Sequence, residues 1–414
     1  MVAVLRLLRW VSFTALDVGK VLLRRGPGSG SFTHAWPEAA NVRAWDAVPA
    51  LPPSPSFSGR TAIVTGATRG IGKEVAFGLA ARGFQLALVG RDLARGQEVV
   101  QEIQSRGGVA EFHSVDMNNL SAVLGFGQRW AAQGRALHVL VNNAGVMGPD
   151  HPLSQLYRIN VLAPFALTMT LLPALRSTSS VGDVHAEGAG AEGGALPFTP
   201  CVVQVASSAS LRSGSDDAAS FVRQAQEAVG AGTETEEGHT TGSSVTNPRW
   251  LEDYSRSKLC LMLLTLELRM RLTGLSTEEA QSKKELALDP PQWPRGPAGP
   301  AARAVDVQVR ACHPGLVYTD MLSGALPPPL RLLLARVPRL RSAIYKSPLQ
   351  GAATVLEAAL AESAAASEEE AREPYFFVDG RPTHYAFDEN FAHLQRKATE
   401  VWTKIATDMR AAGT

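Results

Sequence analysis

The sequence is poor in cysteine, carries almost no net charge and contains no long uninterrupted apolar run. Its 414 residues include only Cys201, Cys260 and Cys312, each within an apolar stretch. This excludes a disulfide-rich scaffold and favours reduced core thiols over bridges or metal ligands. Lys and Arg number 40 against 39 Asp and Glu, so no long-range field gathers nucleic acid. We therefore predict no metal site and no nucleic-acid partner. Charges interrupt the apolar runs of residues 1–25 well short of the roughly 20 apolar residues of a spanning helix, so we predict no plain membrane span there.

From residue 60 onward, short apolar runs alternate with segments of helical period. This alternation is typical of βαβ units around a parallel sheet. We predict an α/β fold with a Rossmann-type doubly wound parallel seven-stranded sheet, in a single catalytic domain over residues 60–388. The predicted strands are residues 60–65, 85–90, 109–113, 137–141, 200–206, 305–312 and 374–378. The predicted helices are residues 71–82, 92–106, 119–133, 153–175, 252–273 and 348–362.

The rest of the chain consists of flanking segments and low-complexity insertions. Residues 1–48 form a basic amphipathic N-terminal segment, 49–59 a proline-rich linker and 389–414 a C-terminal helix. Residues 1–25 are compatible with a membrane-surface anchor, an organelle transit sequence or an ordinary first helix docked on the domain. Three stretches break the alternation, and we expect surface insertions there that bury little apolar area. They lie near residues 177–199, 212–249 and 274–303.

A glycine-rich turn connects the first predicted strand to the first predicted helix. Gly66, Gly70 and Gly72 lie in the sequence TGATRGIG of residues 65–72. Gly66 allows a tight turn, Gly70 lets the backbone approach a pyrophosphate, and Gly72 permits close packing of helix on strand. The N–H groups that open the helix are then available to an anion. The turn predicts a dinucleotide-phosphate site that includes Arg69 and Ile71, although a turn used only for packing has the same local pattern.

The Gly-x3-Gly-x-Gly spacing of this turn resembles that of the short-chain dehydrogenase/reductase family, and several distant motifs strengthen the resemblance. The Asn-Asn-Ala-Gly of residues 142–145 follows the fourth strand, where the family's motif supports the sheet and lines the adenosine side of the cofactor. Asp116 and Met117 match the family's adenine-contacting acid and its neighbour. Asn160 matches the helix asparagine that holds a water near the family's lysine. The resemblance therefore implies cofactor contacts at Asp116, Met117, Asn142, Ala144 and Gly145.

Tyr254 and Lys258 match the family's Tyr-x3-Lys signature, and their spacing places both on one helix face. A nearby cation favours phenolate, so we expect Lys258 and oxidised nicotinamide to lower the pKa of Tyr254. The resemblance makes Tyr254 the general acid in reduction and the general base in oxidation. It makes Ser207 the hydrogen-bond donor to the substrate carbonyl, with Ser208 as the alternative. The 46 residues between Ser207 and Tyr254 leave open whether these groups assemble in the usual way.

The resemblance extends to the segment after the sixth strand, residues 313–320. Pro314, Gly315, Val317 and Thr319 match the family's Pro-Gly-x-Val-x-Thr, which contacts the nicotinamide end of the cofactor. A plain loop after a strand is the alternative, and the shared spacing argues against it.

The tip of the second strand bears on the choice of cofactor. Gly90 stands where NAD-preferring members carry an acid that binds the ribose hydroxyls. Arg69 and Arg91 are instead suited to grip a 2′-phosphate, which favours NADP(H). In the alternative, Asp92 binds the ribose and NAD(H) is the cofactor.

Residues 325–342 are apolar and basic and contain no acid. In the family this segment closes over the substrate, and its leucines suggest a lipophilic one. Its arginines indicate either contact with an anionic membrane surface or the solvated face of a packed helix. The His-Pro-Gly of residues 313–315 and the Arg-Asp after the second strand resemble the retinol-dehydrogenase-like branch of the family.

The sequence therefore predicts an NADP(H)-dependent oxidoreductase that interconverts a lipophilic alcohol and its ketone or aldehyde. The alternative is a catalytically weak dinucleotide-binding scaffold or regulator whose insertions dock partners. We expect peripheral membrane contact through residues 1–25 and 325–342, and a homodimer. The expected location is a cytosol-facing membrane surface or an organelle, without secretion.

Overall fold

A computed structural model describes residues 57–180, 198–207, 209–210, 213–230, 249–273, 307–361, 375–378, 381–384 and 391–413. Its centre is one eight-stranded sheet in the order β3-β2-β1-β4-β5-β6-β7-β8. The strands are β1 Thr61–Thr65, β2 Gln85–Gly90, β3 Val109–Ser114, β4 Val139–Asn142, β5 Cys201–Val205, β6 Gln308–His313, β7 Tyr375–Val378 and β8 Arg381–His384. The first seven pair in parallel, whereas β8 pairs antiparallel with β7. The predicted doubly wound parallel sheet is thus confirmed, and an unpredicted edge strand is added to it.

Helices connect the parallel strands and cover the sheet. They are α1 Gly70–Ala80, α2 Leu93–Ser105, α3 Leu120–Ala132, α4 Leu153–Tyr157, α5 Ala163–Ser180, α6 Ser215–Gly230, α7 Trp250–Thr273, α8 Asp320–Ala325, α9 Pro328–Arg336, α10 Pro338–Ile344, α11 Pro348–Leu360 and α12 Phe391–Gly413. A π-helical turn, Arg158–Leu162, joins α4 to α5. The run Leu153–Thr178 is apolar and long enough to cross a membrane, but its most apolar window is 83% buried within the protein. This is the behaviour of a core helix.

Both faces of the sheet are apolar because parallel strands are covered by helices on each side. In β1, whose five residues are all buried, Ile63 packs into one core and Ala62 and Val64 into the other. This alternation follows from the two-residue period of a strand. The first core includes residues of α3, α5, α6, α7 and α12, and the second includes residues of α1, α2 and α11.

The structure corrects one expectation about the insertions. Part of the stretch at 212–249 is the helix α6, and it buries Ala218, Phe221, Val222 and Ala225 in the first core. These four follow the i, i+3, i+4, i+7 spacing of an amphipathic helix. The high average content of Ser, Gly, Thr and Glu across the stretch concealed this short periodic segment. Most of the other two insertions, and residues 231–248 of this one, lie outside the described residues, as do residues 1–56 and Ser208.

The C-terminal helix α12 packs along α7, the helix that carries Tyr254 and Lys258. Trp402 of α12 stacks edge-on against Phe165, with ring centres 4.8 Å apart. Glu267 of α7 is almost fully buried and accepts hydrogen bonds from Thr399 and from Arg271. Burial and these polar contacts hold α7 in a fixed position beneath the site.

Candidate active site

The sequence-predicted site residues converge at one edge of the sheet. In a parallel sheet the carboxyl ends of all strands meet at the same edge, which is where ligands bind in open α/β folds. The glycine turn follows β1, Arg91 follows β2, Asp116 follows β3, Ala144 follows β4, Ser207 follows β5 and Pro314 follows β6. Six segments distant in sequence therefore lie along this edge of the sheet.

The predicted serine, tyrosine and lysine come together at this edge. The Ser207 hydroxyl hydrogen-bonds Tyr254, whose side chain is buried. The Nζ of Lys258 lies 5.8 Å from the centre of the Tyr254 ring and donates a hydrogen bond of 2.9 Å to the carbonyl oxygen of Val205. Val205 ends β5, two residues before Ser207. The long insertion before Tyr254 therefore leaves these three groups adjacent.

Burial dominates the acid-base properties of Tyr254 and Lys258 in the protein by itself. It raises the pKa of Tyr254 to about 12, against a smaller lowering by the Ser207 hydrogen bond. It lowers the pKa of Lys258 to about 8. The lowering of the tyrosine pKa that we expect from the sequence depends on two cations, one of which belongs to the cofactor. In the protein by itself, desolvation has the largest effect on both pKa values because both side chains are enclosed.

Asn160 connects the loop after β4 to helix α7. Its Oδ1 accepts a 2.8 Å hydrogen bond from the N–H of Val146, and its Nδ2 donates to the Val146 carbonyl oxygen at 3.0 Å. Nδ2 also lies 3.1 Å from the Ser257 hydroxyl oxygen. A Cβ added to Gly145 would stand 3.2 Å from Asn160 Oδ1 and 3.5 Å from Lys258 Nζ. Asn160 thus sits beside the lysine, with its side-chain amide bonded to protein groups.

Backbone geometry at the glycine turn requires glycine. Gly66 and Gly70 have positive φ angles of 67° and 57°, which other residues adopt at a cost. Gly72 has no room for a side chain, because a Cβ would overlap the carbonyl oxygen of Gly66 and Nδ2 of Asn143. Close approach of α1 to β1 therefore depends on Gly72.

Gly72→Ala is expected to lower the free energy of unfolding by about 1–3 kcal/mol, because the added methyl group must displace backbone. It should also weaken binding of a nicotinamide dinucleotide, since the turn moves with that backbone. Urea unfolding and nicotinamide fluorescence measure the two effects. Gly125→Ala in α3 is the matched control: its Cβ would meet only the far end of the Arg129 side chain, so a gain of up to about 1 kcal/mol is expected. Unfolding of Gly72→Ala at the wild-type urea concentration would contradict this.

Two residues that are not among the predicted site residues hold the glycine turn. Asn143 Nδ2 donates to the carbonyl oxygens of Thr65 and Gly66, at 2.9 and 3.3 Å. Thr65 Oγ1 accepts from the N–H groups of Asn143 and Ala144, both at 3.0 Å. Asn142, by contrast, is buried and donates to Thr168 of α5. Thr65 and Asn143 lie inside the glycine-turn motif and the Asn-Asn-Ala-Gly motif, both of which are visible in the sequence. The two residues are 78 positions apart, so their hydrogen bonds to each other are not.

The loop after β6 lies against the glycine turn. The Thr319 side chain is 3.4 Å from where a Gly70 Cβ would stand, and its hydroxyl caps α8 by accepting from the N–H of Leu322. Gly315 has a φ of 87°. Arg69 of the turn and Asp320 form an exposed ion pair of 3.3 Å. Val317 is buried and pairs with Lys346, so both ends of the loop are anchored.

Two residues at the tip of β2 bear on the choice of cofactor: Arg91, which is exposed, and Asp92, whose carboxylate caps the next helix. Asp92 caps α2, where its side chain accepts from the N–H of Arg95 at 3.1 Å and pairs with the Arg95 guanidinium at 3.3 Å. Arg91 directly follows β2 and is exposed. After β3, Asp116 accepts from the N–H of Asn118 at 2.9 Å, and Met117 is buried.

Comparison with known proteins supports the same family. The short chain dehydrogenase profile matches residues 60–184. Polyprenol dehydrogenase of Mus musculus is 44% identical over 141 residues, which cover 32% of this chain and 41% of the relative. Dehydrogenase/reductase SDR family member 13 of Bos taurus is 29% identical over 312 residues, 74% of this chain and 64% of the relative. Human retinol dehydrogenase 12 is 24% identical over 349 residues, 83% and 86% of the two chains.

The chain covers less than two thirds of the length of the polyprenol dehydrogenase and of SDR family member 13. Residues 375–384 and the basic N-terminal segment also resemble dehydrogenase/reductase SDR family member 12, and that finer likeness stays a prediction. The profile match covers β1 to β4 with the glycine turn, and similarity to a retinol dehydrogenase continues through most of both chains. This chain is therefore similar to the short-chain dehydrogenase/reductase family, and within it to the retinol-dehydrogenase-like branch.

Proposed function

We propose that this protein is an NADP(H)-dependent oxidoreductase that interconverts a lipophilic alcohol and its ketone or aldehyde. The convergence of Ser207, Tyr254 and Lys258 beside the glycine turn carries the proposal. The names of the relatives, polyprenol dehydrogenase and retinol dehydrogenase, support a lipophilic alcohol as the substrate class.

The residues at the carboxyl edge of the sheet suit a dinucleotide. The positive φ angles of Gly66 and Gly70 shape a turn without side chains at the N-terminus of α1, where free N–H groups favour a phosphate. The first turn of α1 contains Lys73 and no acid. The turn and the loop after β6 would hold the pyrophosphate and the nicotinamide, and the bound nicotinamide supplies or accepts the hydride.

Each of the three polar groups has a distinct task in this reaction. The Ser207 hydroxyl hydrogen-bonds the substrate carbonyl oxygen and stabilises its developing negative charge. Tyr254 donates its phenolic proton to that oxygen during reduction and takes it back during oxidation. Lys258, as a cation, stabilises the phenolate that Tyr254 becomes. Asn160 fixes the loop after β4 against α7 and so positions the lysine.

In the protein by itself, Tyr254 is in the protonation state that reduction requires. With a pKa of about 12, Tyr254 is protonated in the protein by itself. The protonated form is the one that gives a proton to a carbonyl oxygen, whereas oxidation needs the phenolate. Lys258, with a pKa of about 8, is mostly charged at pH 7.

The preference for NADP(H) over NAD(H) rests on the tip of β2. Asp92 is occupied as the cap of α2 and as the partner of Arg95, so it is poorly placed to bind a ribose. Gly90 offers no carboxylate, and Arg91 is exposed at the same tip. A guanidinium there pairs well with a 2′-phosphate.

Arg91→Ala is expected to weaken NADPH binding by about 10-fold to 100-fold, the loss of one charge-assisted hydrogen bond. NADH binding should change by less than about twofold, because NADH lacks the 2′-phosphate. Titration with each nucleotide, followed by nicotinamide fluorescence, measures both. Arg129→Ala on the exposed surface of α3 is the matched control. Equal weakening of NADPH and NADH would contradict the phosphate contact, and failure of folded wild-type protein to bind either nucleotide would contradict the enzyme proposal.

The proposal includes partners and location. A separate apolar cluster, Leu322, Leu326, Leu334 and Tyr345, adjoins the loop after β6 and supports a lipophilic substrate. Membrane contact through residues 1–25 and 325–342 would place the protein on a cytosol-facing membrane or in an organelle. A homodimer would use surfaces other than α7, since that helix is largely covered by α6 and α12.

A further inference from the structure

The large apolar side chains that are exposed concentrate in one part of the described chain. Ten such side chains are exposed, and six lie within residues 325–349, which we call the apolar-basic segment. They are Leu332, Leu333, Val337, Leu340, Ile344 and Leu349. Leu332 is 52% exposed and Leu333 is 46% exposed. A monomeric soluble protein rarely leaves such a group of apolar side chains without a partner.

The same segment is positively charged. It contains Arg331, Arg336, Arg339, Arg341 and Lys346, and no Asp or Glu. The whole chain balances 40 basic against 39 acidic residues, so this local excess is not a consequence of composition. Arg341 lies over the Tyr318 ring at 5.2 Å, while Arg331, Arg336 and Arg339 are exposed.

The two helices of the segment have distinct inner and outer sides. In α9, Leu334 is buried and Leu330 packs beside it, one turn apart, in the small cluster with Leu322 and Tyr345. Leu332 and Leu333 point away from that cluster. Val337, Leu340 and Ile344 follow the i, i+3, i+7 spacing of one helix face, and all three are exposed. The outer side therefore combines apolar stripes with arginines.

The inner side of the segment borders the active site. The cluster it contacts also receives Met147 of the loop after β4 and Tyr318 of the loop after β6. Both loops follow strand ends at the edge of the sheet where Ser207 and Tyr254 meet. Few buried side chains attach the segment to the two main cores, so its local stability is low relative to theirs.

We propose that the outer side of the apolar-basic segment docks on an anionic membrane surface, and that the lipophilic substrate reaches the active site from the bilayer past this segment. The second half of this inference rests on the proposed function. Apolar side chains enter the interface while the arginines meet anionic headgroups, which is the pattern of interfacial helices.

The charge of the segment argues against a second copy of the chain as the occupant. A symmetric contact would oppose five cations to the same five cations, and like charges across an interface disfavour it. An anionic bilayer satisfies the charges and the apolar side chains together.

The first test is binding of the full chain to phosphatidylserine-containing vesicles and to phosphatidylcholine vesicles, measured by sedimentation. The double variant Leu332→Glu/Leu333→Glu is expected to lower the partition coefficient at least about tenfold. The triple variant Arg331→Gln/Arg336→Gln/Arg339→Gln is expected to lose about tenfold or more on anionic vesicles only. Added salt should reproduce the effect of the triple variant.

Matched controls separate this surface from the rest of the chain. Leu93→Glu changes an equally exposed leucine on α2, and Arg223→Gln an exposed arginine on α6; both should bind vesicles as wild type does. All variants retain residues 1–25, so any contribution of that segment is common to them. Wild-type binding by the double and triple variants overturns the proposal. So does an altered oligomeric state with unchanged vesicle binding, which would assign the surface to a second copy.

A second measurement addresses substrate entry. With NADPH, the triple arginine variant should reduce a short water-soluble aldehyde at the wild-type rate and a long-chain aldehyde dissolved in anionic vesicles at least about fivefold more slowly, in line with its lost partitioning. If the variant reduces both aldehydes at the wild-type rate, entry of the substrate from the membrane is overturned. Absence of turnover by wild type on either aldehyde instead counts against the proposed function, and the vesicle-binding result stands independently.

Discussion

Tyr254→Phe is expected to reduce kcat for NADPH-dependent carbonyl reduction by about 10³-fold, within the range that general acid–base groups contribute. The dissociation constant for NADPH should change by less than about twofold, because the substitution removes one hydroxyl and no positive charge. Burial keeps Tyr254 protonated, with a pKa of about 12, so the hydroxyl is ready to give its proton to the carbonyl oxygen. Steady-state kinetics and fluorescence titration measure the two quantities.

Tyr157→Phe is the matched control for this variant. Tyr157 is also buried, its hydroxyl donates to Asp408 of α12, and it lies away from the active site. Its loss should leave kcat within about twofold and lower the free energy of unfolding by about 1 kcal/mol, the net value of a hydrogen bond. If Tyr254→Phe retained wild-type turnover, or kept the biological role intact, a dinucleotide-binding scaffold would be the better description.

Lys258→Met is expected to abolish most turnover and at the same time stabilise the fold. Enclosure lowers the pKa of Lys258 from 10.5 to about 8, which corresponds to a charge-burial cost of about 3 kcal/mol near pH 7. Methionine fills similar volume without that charge, so the free energy of unfolding should rise by about 1–3 kcal/mol. The loss of the cation that stabilises the Tyr254 phenolate should lower kcat by about 10²-fold or more.

The dependence of stability on pH distinguishes removal of a buried charge from better packing as the cause of the gain in Lys258→Met. Below pH 8 the lysine is charged in both the folded and unfolded states, and the full cost is present. Between the folded pKa of about 8 and the unfolded value near 10.4, only the folded state loses its proton. Wild-type stability should therefore rise through this window relative to Lys258→Met, so that the difference between them disappears near pH 10. Reduction by wild type should decline above pH 8 as the cation is lost.

Lys404→Met is the matched control for Lys258→Met. Lys404 lies on α12, is partly exposed and pairs with Glu400, so its removal should change stability by less than about 1 kcal/mol. Urea unfolding at several pH values measures both variants. A stability gain for Lys258→Met that is constant from pH 7 to pH 10 would contradict the proposed cost of charge burial.

Local patterns in the sequence predicted most of the sheet. The seven parallel strands lie within a few residues of their predicted bounds, because short β-branched runs between glycine or polar turns are local signals. The strand β8 was missed because Arg381–His384 contains a proline and no apolar alternation, and its pairing with β7 is what makes it a strand. The helix α6 was missed because its core residues lie within a stretch of loop-like composition.

The sequence by itself determined the chemistry available to this protein: a phosphate-binding glycine turn, a tyrosine and a lysine on one helix face, and a serine at a strand end. Those features depend on spacing along the chain, and spacing is readable without coordinates. Only the tertiary structure decided how these groups behave. It placed Ser207 against Tyr254 across 46 intervening residues, assigned Asp92 to a helix cap, and tied the glycine turn to Asn143. It also raised the pKa of Tyr254 in the protein by itself, because desolvation depends on what surrounds a side chain in space and not on its neighbours in sequence.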